Sequence, residues 1–235
     1  MKNCVIASTS TLYGSTPLTY LKETLLELYN DVDEILFIPY ARPGGISHDE
    51  YTHKISEIFK KLNKKITGIH KYDNPIDALT QAKGLYTGGG NTFLLVDQLY
   101  RYDLIEVLKN KILSGTPYLG TSAGSNITGL TMQTTNDMPI IYPPNFKTLG
   151  ILPFNINAHY LDPDPNSTHK GETRETRIKE FHKLNPQPVV GLREGSWLRV
   201  KNNEIILGGN LSARIFEQNT SPYEVAAESS LTTLN

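Results

Sequence analysis

The sequence predicts an α/β fold in which a mainly parallel sheet is covered by helices on both faces. Short apolar runs, each ending in turn-forming residues, recur through the first half of the chain. Segments with apolar residues at helical spacing lie between these runs. Runs that are apolar throughout are typical of strands buried on both faces, and their alternation with helices is typical of a parallel sheet.

The first four strands are predicted at residues 4–7, 35–38, 66–69 and 84–87. A fifth run, at residues 116–119, directly precedes a glycine-rich turn. Each run is rich in Val, Ile, Leu, Tyr or Thr, the residue types enriched in strands.

The helices between these strands are predicted from their N-terminal signals. A first helix is expected to begin at Thr16 as N-cap, with Pro17 in the first turn, where proline is tolerated. A second helix is predicted to begin after Ser47, which forms an S-x-x-E capping box with Glu50. Residues 91–113 carry apolar residues at the spacing of two further helices.

After about residue 130 prolines become frequent, which predicts loops and short strands. The strands near the end of the chain are expected to extend the sheet in antiparallel fashion. No internal repeat or linker composition divides the sequence, so a single domain over residues 1–235 is expected. The elements predicted in this half are a helix at 172–184 and strands at 189–192, 197–200, 204–207 and 214–216.

Composition excludes several classes of protein. The 23 basic residues balance 24 acidic ones, so nothing suggests a nucleic acid or a membrane surface as a partner. A single cysteine excludes a disulfide framework within the chain and fits a reducing compartment. The apolar stretch near the N-terminus is too short for a signal peptide. The chain is therefore expected to be cytoplasmic.

Residues 120–124 read Gly-Thr-Ser-Ala-Gly, a G-x-S-x-G pentapeptide directly after a predicted strand. Glycines two places before and after a serine allow a sharp turn from strand to helix, which exposes the hydroxyl above the sheet. The pattern therefore predicts Ser122 as a nucleophile on a strand–turn–helix elbow, with residues 126–128 continuing the helix.

A serine hydroxyl needs a base, usually a histidine, and the histidine needs an acid to orient it. His159 follows the strand-like run at residues 154–158 and enters a proline-rich loop, so it is the best candidate of the six histidines. Asp137 and Glu194 are both candidate acids, and the residues alone do not choose between them. Each also has a purely structural interpretation as a turn residue. The remaining histidines, interpreted as surface residues where they lie on predicted helices, are His48, His53, His70, His169 and His182.

Gly88-Gly89-Gly90 follows the fourth strand and precedes a helix. The spacing is not that of a dinucleotide-binding turn, and no lysine follows as in a P-loop. A glycine turn at the carboxyl end of a parallel strand exposes backbone N–H groups beside the crevice where such sheets bind ligands. We therefore predict an oxyanion site there, with the N–H of Ala123 as the second donor.

Taken together, these motifs resemble the peptidase E (alpha-aspartyl dipeptidase) family of serine peptidases. The resemblance covers essentially the whole chain, and the blocks follow the family's order. They are G-G-G-N-T-F at 88–93, G-T-S-A-G-S-N at 120–126, T-T-N-D-M-P-I at 134–140, I-N-A-H at 156–159, H-K-G-E-T-R-E-T-R-I at 169–178 and E-G-S-W at 194–197.

This resemblance implies a glutamine-amidotransferase-like (flavodoxin-like) three-layer α/β sandwich. The family's serine and histidine fall on Ser122 and His159, and its N-D-M-P aspartate falls on Asp137. Glu194 is the alternative acid. Arg174, in G-E-T-R, matches the arginine that grips the aspartyl side chain of the substrate, and Arg177 is a possible substitute one turn later.

The N–H groups of Ala123 and of Gly89, or alternatively Gly88, are expected to bind the oxyanion, and Gly88 is also expected to contact the substrate. Without the family, Arg174 would be interpreted as a helix-face arginine paired with a neighbouring glutamate. One departure from the pattern is Ser196, where some relatives carry asparagine.

The function expected from these residues and the resemblance is a serine exopeptidase that hydrolyses Asp-Xaa dipeptides through an acyl-enzyme. No cofactor or metal is expected. Residues 162–166 have the rhythm of a calcium loop, but Ser167 stands where glycine is needed. The sequence leaves a monomer or a homodimer open.

Two alternatives remain. A cyanophycinase-like hydrolase of an Asp-Arg polymer would share the fold and the serine, and a non-catalytic binding protein would share the scaffold. A glutamine amidotransferase is disfavoured because Ser122 stands where its cysteine would be. Cys4 lies on the first predicted strand, as a small core residue.

Overall fold

The computed structural model describes residues 1–166, 168 and 170–234. Ser167 of the rejected calcium loop and His169 of the H-K-G-E block lie outside the described residues. The strands are β1 (Asn3–Ala7), β2 (Glu34–Ile38), β3 (Lys65–Gly68), β4 (Leu85–Thr87), β5 (Tyr118–Thr121), β6 (Asn155–Ala158), β7 (Val189–Leu192), β8 (Trp197–Lys201), β9 (Glu204–Gly208), β10 (Ala213–Phe216) and β11 (Tyr223–Val225). The α-helices are α1 (Lys22–Leu28), α2 (His48–Lys60), α3 (Pro75–Gln81), α4 (Thr92–Arg101), α5 (Leu104–Leu113), α6 (Ala123–Asn126) and α7 (Arg174–Phe181), and short 3-10 turns cover Thr19–Leu21 and Ile69–Lys71.

A seven-stranded sheet with the order β3-β2-β4-β5-β1-β8-β9 forms the centre of the fold. Its first five strands are parallel, and β8 and β9 add to one edge in antiparallel orientation. Ala7 of β1 is paired with Thr121 of β5, so the residues that follow them, Ser8 and Ser122, leave the sheet side by side.

The central strands are buried on both faces. Val5 and Ala7 of β1 face a core with α1 and α2, while Cys4 and Ile6 face a second core with α3, α4, α5 and α6. This alternation follows from the two-residue period of a strand, and it explains why the strand sequences are apolar throughout. The predicted three-layer α/β sandwich with a mainly parallel sheet is therefore confirmed.

The prediction for the strands near the end of the chain is correct only in part. Strands β8 and β9 do extend the central sheet, but β7 and β10 belong to a separate four-stranded sheet with the order β11-β10-β7-β6. The reason is that β7 pairs in parallel with β6, which lies outside the central sheet. In that pairing Ala158 is opposite Leu192, so the chain leaves both strands at the same edge.

The helix signals have mixed outcomes. The capping box of α2 is confirmed, because Ser47 accepts from the N–H of Glu50 and the Glu50 carboxylate accepts from the N–H of Ser47. The predicted start of the first helix at Thr16 is wrong. Leu18 has a φ of 61°, and its N–H donates to the carbonyl of Ser10, so the α-helix begins only at Lys22.

Two elements escaped the sequence-based assignment. Helix α3 begins at Pro75 and is capped by Asn74, whose side chain accepts from the N–H groups of Ile76 and Asp77. That signal is present in the sequence and could have been used. Strand β11 is only three residues long and has no buried residue, so it is too short to show a strand pattern in the sequence.

Candidate active site

Ser122 lies at the turn between β5 and α6, with φ of 53° and ψ of −112°. A non-glycine residue in such a conformation costs on the order of 1–3 kcal/mol and persists only where the surroundings fix it. Here the Ser122 N–H donates to the carbonyl of Ala7, and its carbonyl accepts from the N–H groups of Ser125 and Asn126. The predicted elbow is present, although α6 ends at Asn126 and does not continue through residue 128.

The two glycines of the pentapeptide are required by close backbone approaches. A Cβ on Gly120 would lie 2.4 Å from the carbonyl oxygen of Gly124, and a Cβ on Gly124 would lie 2.2 Å from that of Thr87. Both distances are far below van der Waals contact. The elbow can therefore pack against β4 and β5 only with glycine at these positions.

His159 follows β6 and is held from its backbone. Its N–H donates to the Oγ of Ser8 at 2.8 Å, and that hydroxyl donates to the carbonyl of Leu192 at 2.6 Å. The φ of His159 is 55°, in the left-handed region. In this conformation the Nε2 of the imidazole lies 2.8 Å from the Oγ of Ser122.

Glu194 lies on the other side of the same imidazole. Its Oε1 is 2.6 Å from the Nδ1 of His159. Because a carboxylate only accepts hydrogen bonds, this contact places a proton on Nδ1 and leaves Nε2 to accept from the hydroxyl of Ser122. The Glu194 side chain is 51% exposed, so the pair is solvated on one side.

Asp137, the other candidate acid, is directed to a different partner. Its Oδ2 accepts from the backbone N–H of Thr92 at 2.7 Å, from the Thr92 hydroxyl at 2.5 Å and from the Thr135 hydroxyl at 2.9 Å. Thr92 is the first residue of α4, so the carboxylate sits at the positive end of the helix dipole. Among the described residues, the hydrogen-bonded acid at His159 is Glu194 and not Asp137.

The glycine run lies against the elbow. A Cβ on Gly89 would be 3.0 Å from the Cβ of Ser122, so Gly89 is next to the hydroxyl. Within the described residues no hydrogen bond engages the N–H groups of Gly89 and Ala123. The N–H of Gly88 instead donates to the carbonyl of Ile38, so Gly89 is the better candidate of the two for an oxyanion donor, and a substrate contact of Gly88 stays a prediction.

Arg174 is the first residue of α7, a helix capped by the Thr173 side chain, which accepts from the N–H of Thr176. The guanidinium is half-buried and lines a cavity of about 370 Å³ together with Asn136 and Asp162. Burial and the nearby Arg177 lower the pKa of Arg174. The ordinary pKa of an arginine side chain is so far above neutral that the guanidinium of Arg174 stays charged at neutral pH despite this lowering.

The structural alternative for Arg174, an ion pair with a neighbouring glutamate, does not describe this helix. Glu175 pairs with Lys179 at 2.6 Å and with Arg214 at 3.2 Å. Arg174 itself has no ion pair among residues 1–166, 168 and 170–234. Arg177 is exposed and lines the same cavity, as expected for a residue one turn further along the helix.

Three residues near the site were missed in the sequence. Ser8 follows β1 at the carboxyl edge of the sheet, a position that topology alone marks as important. The hydroxyl of Tyr51 donates to the carbonyl of Gly89 at 3.3 Å and so helps to fix the glycine run. Arg193, directly before Glu194, forms ion pairs with Asp162 and Glu224, which no local sequence pattern predicts.

In the part of the chain that the structure describes, no cluster of three His, Cys, Asp or Glu side chains is arranged to hold a metal ion. Among the same residues, no helix combines the length and the apolar character needed to cross a membrane.

Comparison with known proteins places these features in context. The model of Peptidase family S51 matches residues 4–208. Over 232 residues the chain is 44% identical to the Peptidase E of Streptomyces coelicolor, covering 99% of this chain and 94% of that protein. Over 236 residues it is 39% identical to a Drosophila melanogaster protein named "Probable alpha-aspartyl dipeptidase", covering 99% and 97%.

A solved structure is similar in fold. The crystal structure of a peptidase from an acI-B1 Actinobacterium superposes with a TM-score of 0.71, covering 98% of this chain and 96% of that one. The two sequences are 18% identical, so this likeness concerns the fold alone.

Proposed function

The chain belongs to peptidase family S51, and on that premise we propose that it is a serine-type exopeptidase that hydrolyses dipeptides with an N-terminal aspartate. The observation that carries the proposal is the contact chain from Ser122 through His159 to Glu194, with distances of 2.8 and 2.6 Å. The name of the Drosophila relative supports the aspartyl dipeptide as substrate.

In the proposed reaction the Oγ of Ser122 attacks the scissile carbonyl carbon while the Nε2 of His159 takes the hydroxyl proton. Glu194 accepts from Nδ1 and stabilises the imidazolium that forms. The imidazolium then protonates the leaving amine as the C–N bond breaks, which leaves an ester on Ser122. His159 next removes a proton from water, and the resulting hydroxide attacks the carbonyl carbon of the ester. As the bond from that carbon to the Oγ of Ser122 breaks, the imidazolium returns the proton to Oγ, which releases the aspartate and restores the free enzyme.

The negative oxygen of both tetrahedral intermediates needs donors that point at it before the reaction begins. Gly89 and Ala123 lie beside Ser122, and their N–H groups, which no described residue engages, are the proposed pair. Loss of one such donor typically costs about 100–1,000-fold in rate.

An aspartyl dipeptide brings a side-chain carboxylate and an ammonium to the acyl side of the bond. Arg174 is the proposed partner of the carboxylate, because it is half-buried and charged and offers a planar pair of donors. The ammonium is assigned to Asp137. Its Oδ2 is occupied by three donors, whereas its Oδ1 accepts no hydrogen bond from any described residue.

The test is hydrolysis of a small peptide panel by the purified protein: Asp-Leu, Glu-Leu, Asn-Leu, N-acetyl-Asp-Leu and an Asp-Arg polymer. We expect Asp-Leu to be cleaved well and the blocked peptide to resist. Preferential cleavage of the polymer would favour the cyanophycinase-like alternative, and cleavage of nothing in the panel would contradict the proposal.

A further inference from the structure

The guanidinium of Arg193 lies between two carboxylates beside the candidate site. Its Nε and Nη2 donate to the two oxygens of Asp162 at 2.8 and 2.7 Å. Its Nη1 and Nη2 donate to the two oxygens of Glu224 at 2.9 and 3.0 Å, and Nη1 also donates to the carbonyl of Ser212 at 2.7 Å. All five N–H groups of the guanidinium are thereby used.

This ion-pair network is well enclosed. The Arg193 side chain is 16% exposed and lies over the ring of Tyr160, with 5.5 Å from the guanidinium carbon to the ring centre. Bidentate arginine–carboxylate pairs combine charge with fixed geometry, so they hold a carboxylate in one orientation. The carboxylate of Asp162 is thus fixed, although 55% of its side chain is exposed.

Asp162 and Arg174 line the same cavity of about 370 Å³. Arg174 has no ion pair among the described residues, and a half-buried guanidinium attracts a carboxylate that is free to approach it. If Asp162 were released, it would be an internal competitor for the position that the substrate carboxylate takes.

We propose that Arg193 is a positioning residue that determines specificity, because it holds Asp162 away from Arg174 and so keeps Arg174 available for the aspartyl carboxylate. This inference rests on the proposed function, in which Arg174 binds that carboxylate. Arg193 acts through other residues and not on the substrate itself. Its five N–H groups donate to Asp162, Glu224 and Ser212, so none is available to bind a substrate.

The test compares the Arg193→Gln variant, the Asp162→Asn variant and the double variant on Asp-Leu and Asn-Leu. For Arg193→Gln we expect KM for Asp-Leu to rise at least about tenfold while kcat changes less than about threefold. The KM for Asn-Leu should hardly move. In the double variant no free carboxylate remains at position 162, so KM for Asp-Leu should return to within about threefold of the wild-type value.

Arg199→Gln is the matched control. Arg199 is 15% exposed, is ion-paired with Glu27 and donates to the carbonyl of Cys4, but it does not line the cavity. Its loss should lower the melting temperature without changing KM. If Arg193→Gln does not fold, the double variant still tests the inference. The inference requires the KM of the double variant for Asp-Leu to be near the wild-type value.

Two results would overturn the inference. One is a double variant whose KM for Asp-Leu stays at least about tenfold raised. The other is an Arg193→Gln variant that loses kcat on Asp-Leu and Asn-Leu alike, as expected of a merely structural residue. Failure of the proposed function is a separate outcome, because in that case the wild-type protein itself would not cleave Asp-Leu.

Discussion

Glu194 and His159 are brought together by the register of the second sheet. Ala158 of β6 and Leu192 of β7 are paired in parallel, so the chain leaves both strands at one edge, and the Oε1 of Glu194 comes to lie 2.6 Å from the Nδ1 of His159. Ser8, at the end of β1, fixes the backbone of His159 from the central sheet. The orientation of the imidazole toward Ser122 thus depends on contacts with both sheets.

The first prediction concerns the acid. Glu194→Gln should lower kcat for Asp-Leu at least about 100-fold, because the amide carries no charge to stabilise the imidazolium. The melting temperature should change little, since this side chain is half exposed. Asp137→Asn should act mainly on KM and on the N-terminus of α4. Steady-state kinetics of both variants provide the check, and the opposite ranking in kcat would assign the orienting role to Asp137.

The candidate nucleophile could be found from the sequence, whereas the acid that contacts His159 could not. The signal for Ser122 is local, because the strand, the two glycines and the serine are adjacent in the chain. The choice of Glu194 over Asp137 depends on the pairing of β6 with β7, which are about thirty residues apart and carry no sequence mark of being partners. Local patterns therefore left both acids open.

The same distinction applies to the fold. The parallel strands and the capping box of α2 follow from composition and local spacing, and they were predicted. The local sequence predicts that Leu18 is helical, but a hydrogen bond from its N–H to the carbonyl of Ser10 fixes its backbone in the left-handed region. Similarly, β7 belongs to the second sheet and not to the central one, because the sequence of a strand does not determine which strands it pairs with.

The second prediction concerns the proposed nucleophile. Ser122→Ala should abolish turnover and leave the fold intact, because the hydroxyl is a reacting group and its backbone is held by other hydrogen bonds. Ser125→Ala is the control, since this buried hydroxyl only donates to the carbonyl of Ala7, at 2.6 Å. It should cost about 1 kcal/mol of unfolding free energy and retain activity. Measurable turnover by Ser122→Ala at the wild-type rate would end the serine-peptidase interpretation.

A third prediction tests the packing of the elbow. A methyl group at Gly124 would lie 2.2 Å from the carbonyl oxygen of Thr87, and neither backbone segment can move freely. Gly124→Ala should therefore lower the unfolding free energy by about 1–3 kcal/mol and reduce activity as the elbow shifts. Gly44→Ala, at a position with open space around it, should be neutral in urea unfolding. Equal stability of the two variants would show that the elbow tolerates the contact.

The fourth prediction concerns acid stability. Hydrogen bonds from Arg193 lower the pKa of Asp162 below its ordinary value of 3.8. A carboxyl group whose pKa is lowered by folding stabilises the fold above the unfolded-state pKa, and this contribution is lost as the pH falls through the folded-state pKa. Asp162→Asn should thus be less stable than the wild type near neutral pH, by about 1 kcal/mol or less because the side chain is exposed.

In chemical unfolding at a series of pH values, the difference between the Asp162→Asn variant and the wild type should shrink below the ordinary pKa of 3.8 and disappear once Asp162 is protonated in the folded protein. A difference that stayed constant over that range would mean that the ion pair with Arg193 contributes nothing to stability.

The last prediction concerns the cation that is proposed to bind the substrate. A desolvated aspartyl carboxylate without a partner is very costly, so the pocket needs a positive charge, and Arg174 is half-buried and free of ion pairs among the described residues. Arg174→Ala should lower kcat/KM for Asp-Leu by the equivalent of about 2–5 kcal/mol, and should lower it far less for Asn-Leu, which presents no charge to the pocket. Arg177→Ala is the matched control, because this exposed arginine lines the same cavity one turn further along α7 and should have a small effect. An equal loss on both peptides in the Arg174 variant would make that residue structural, and a larger loss in the Arg177 variant would move the cation to position 177.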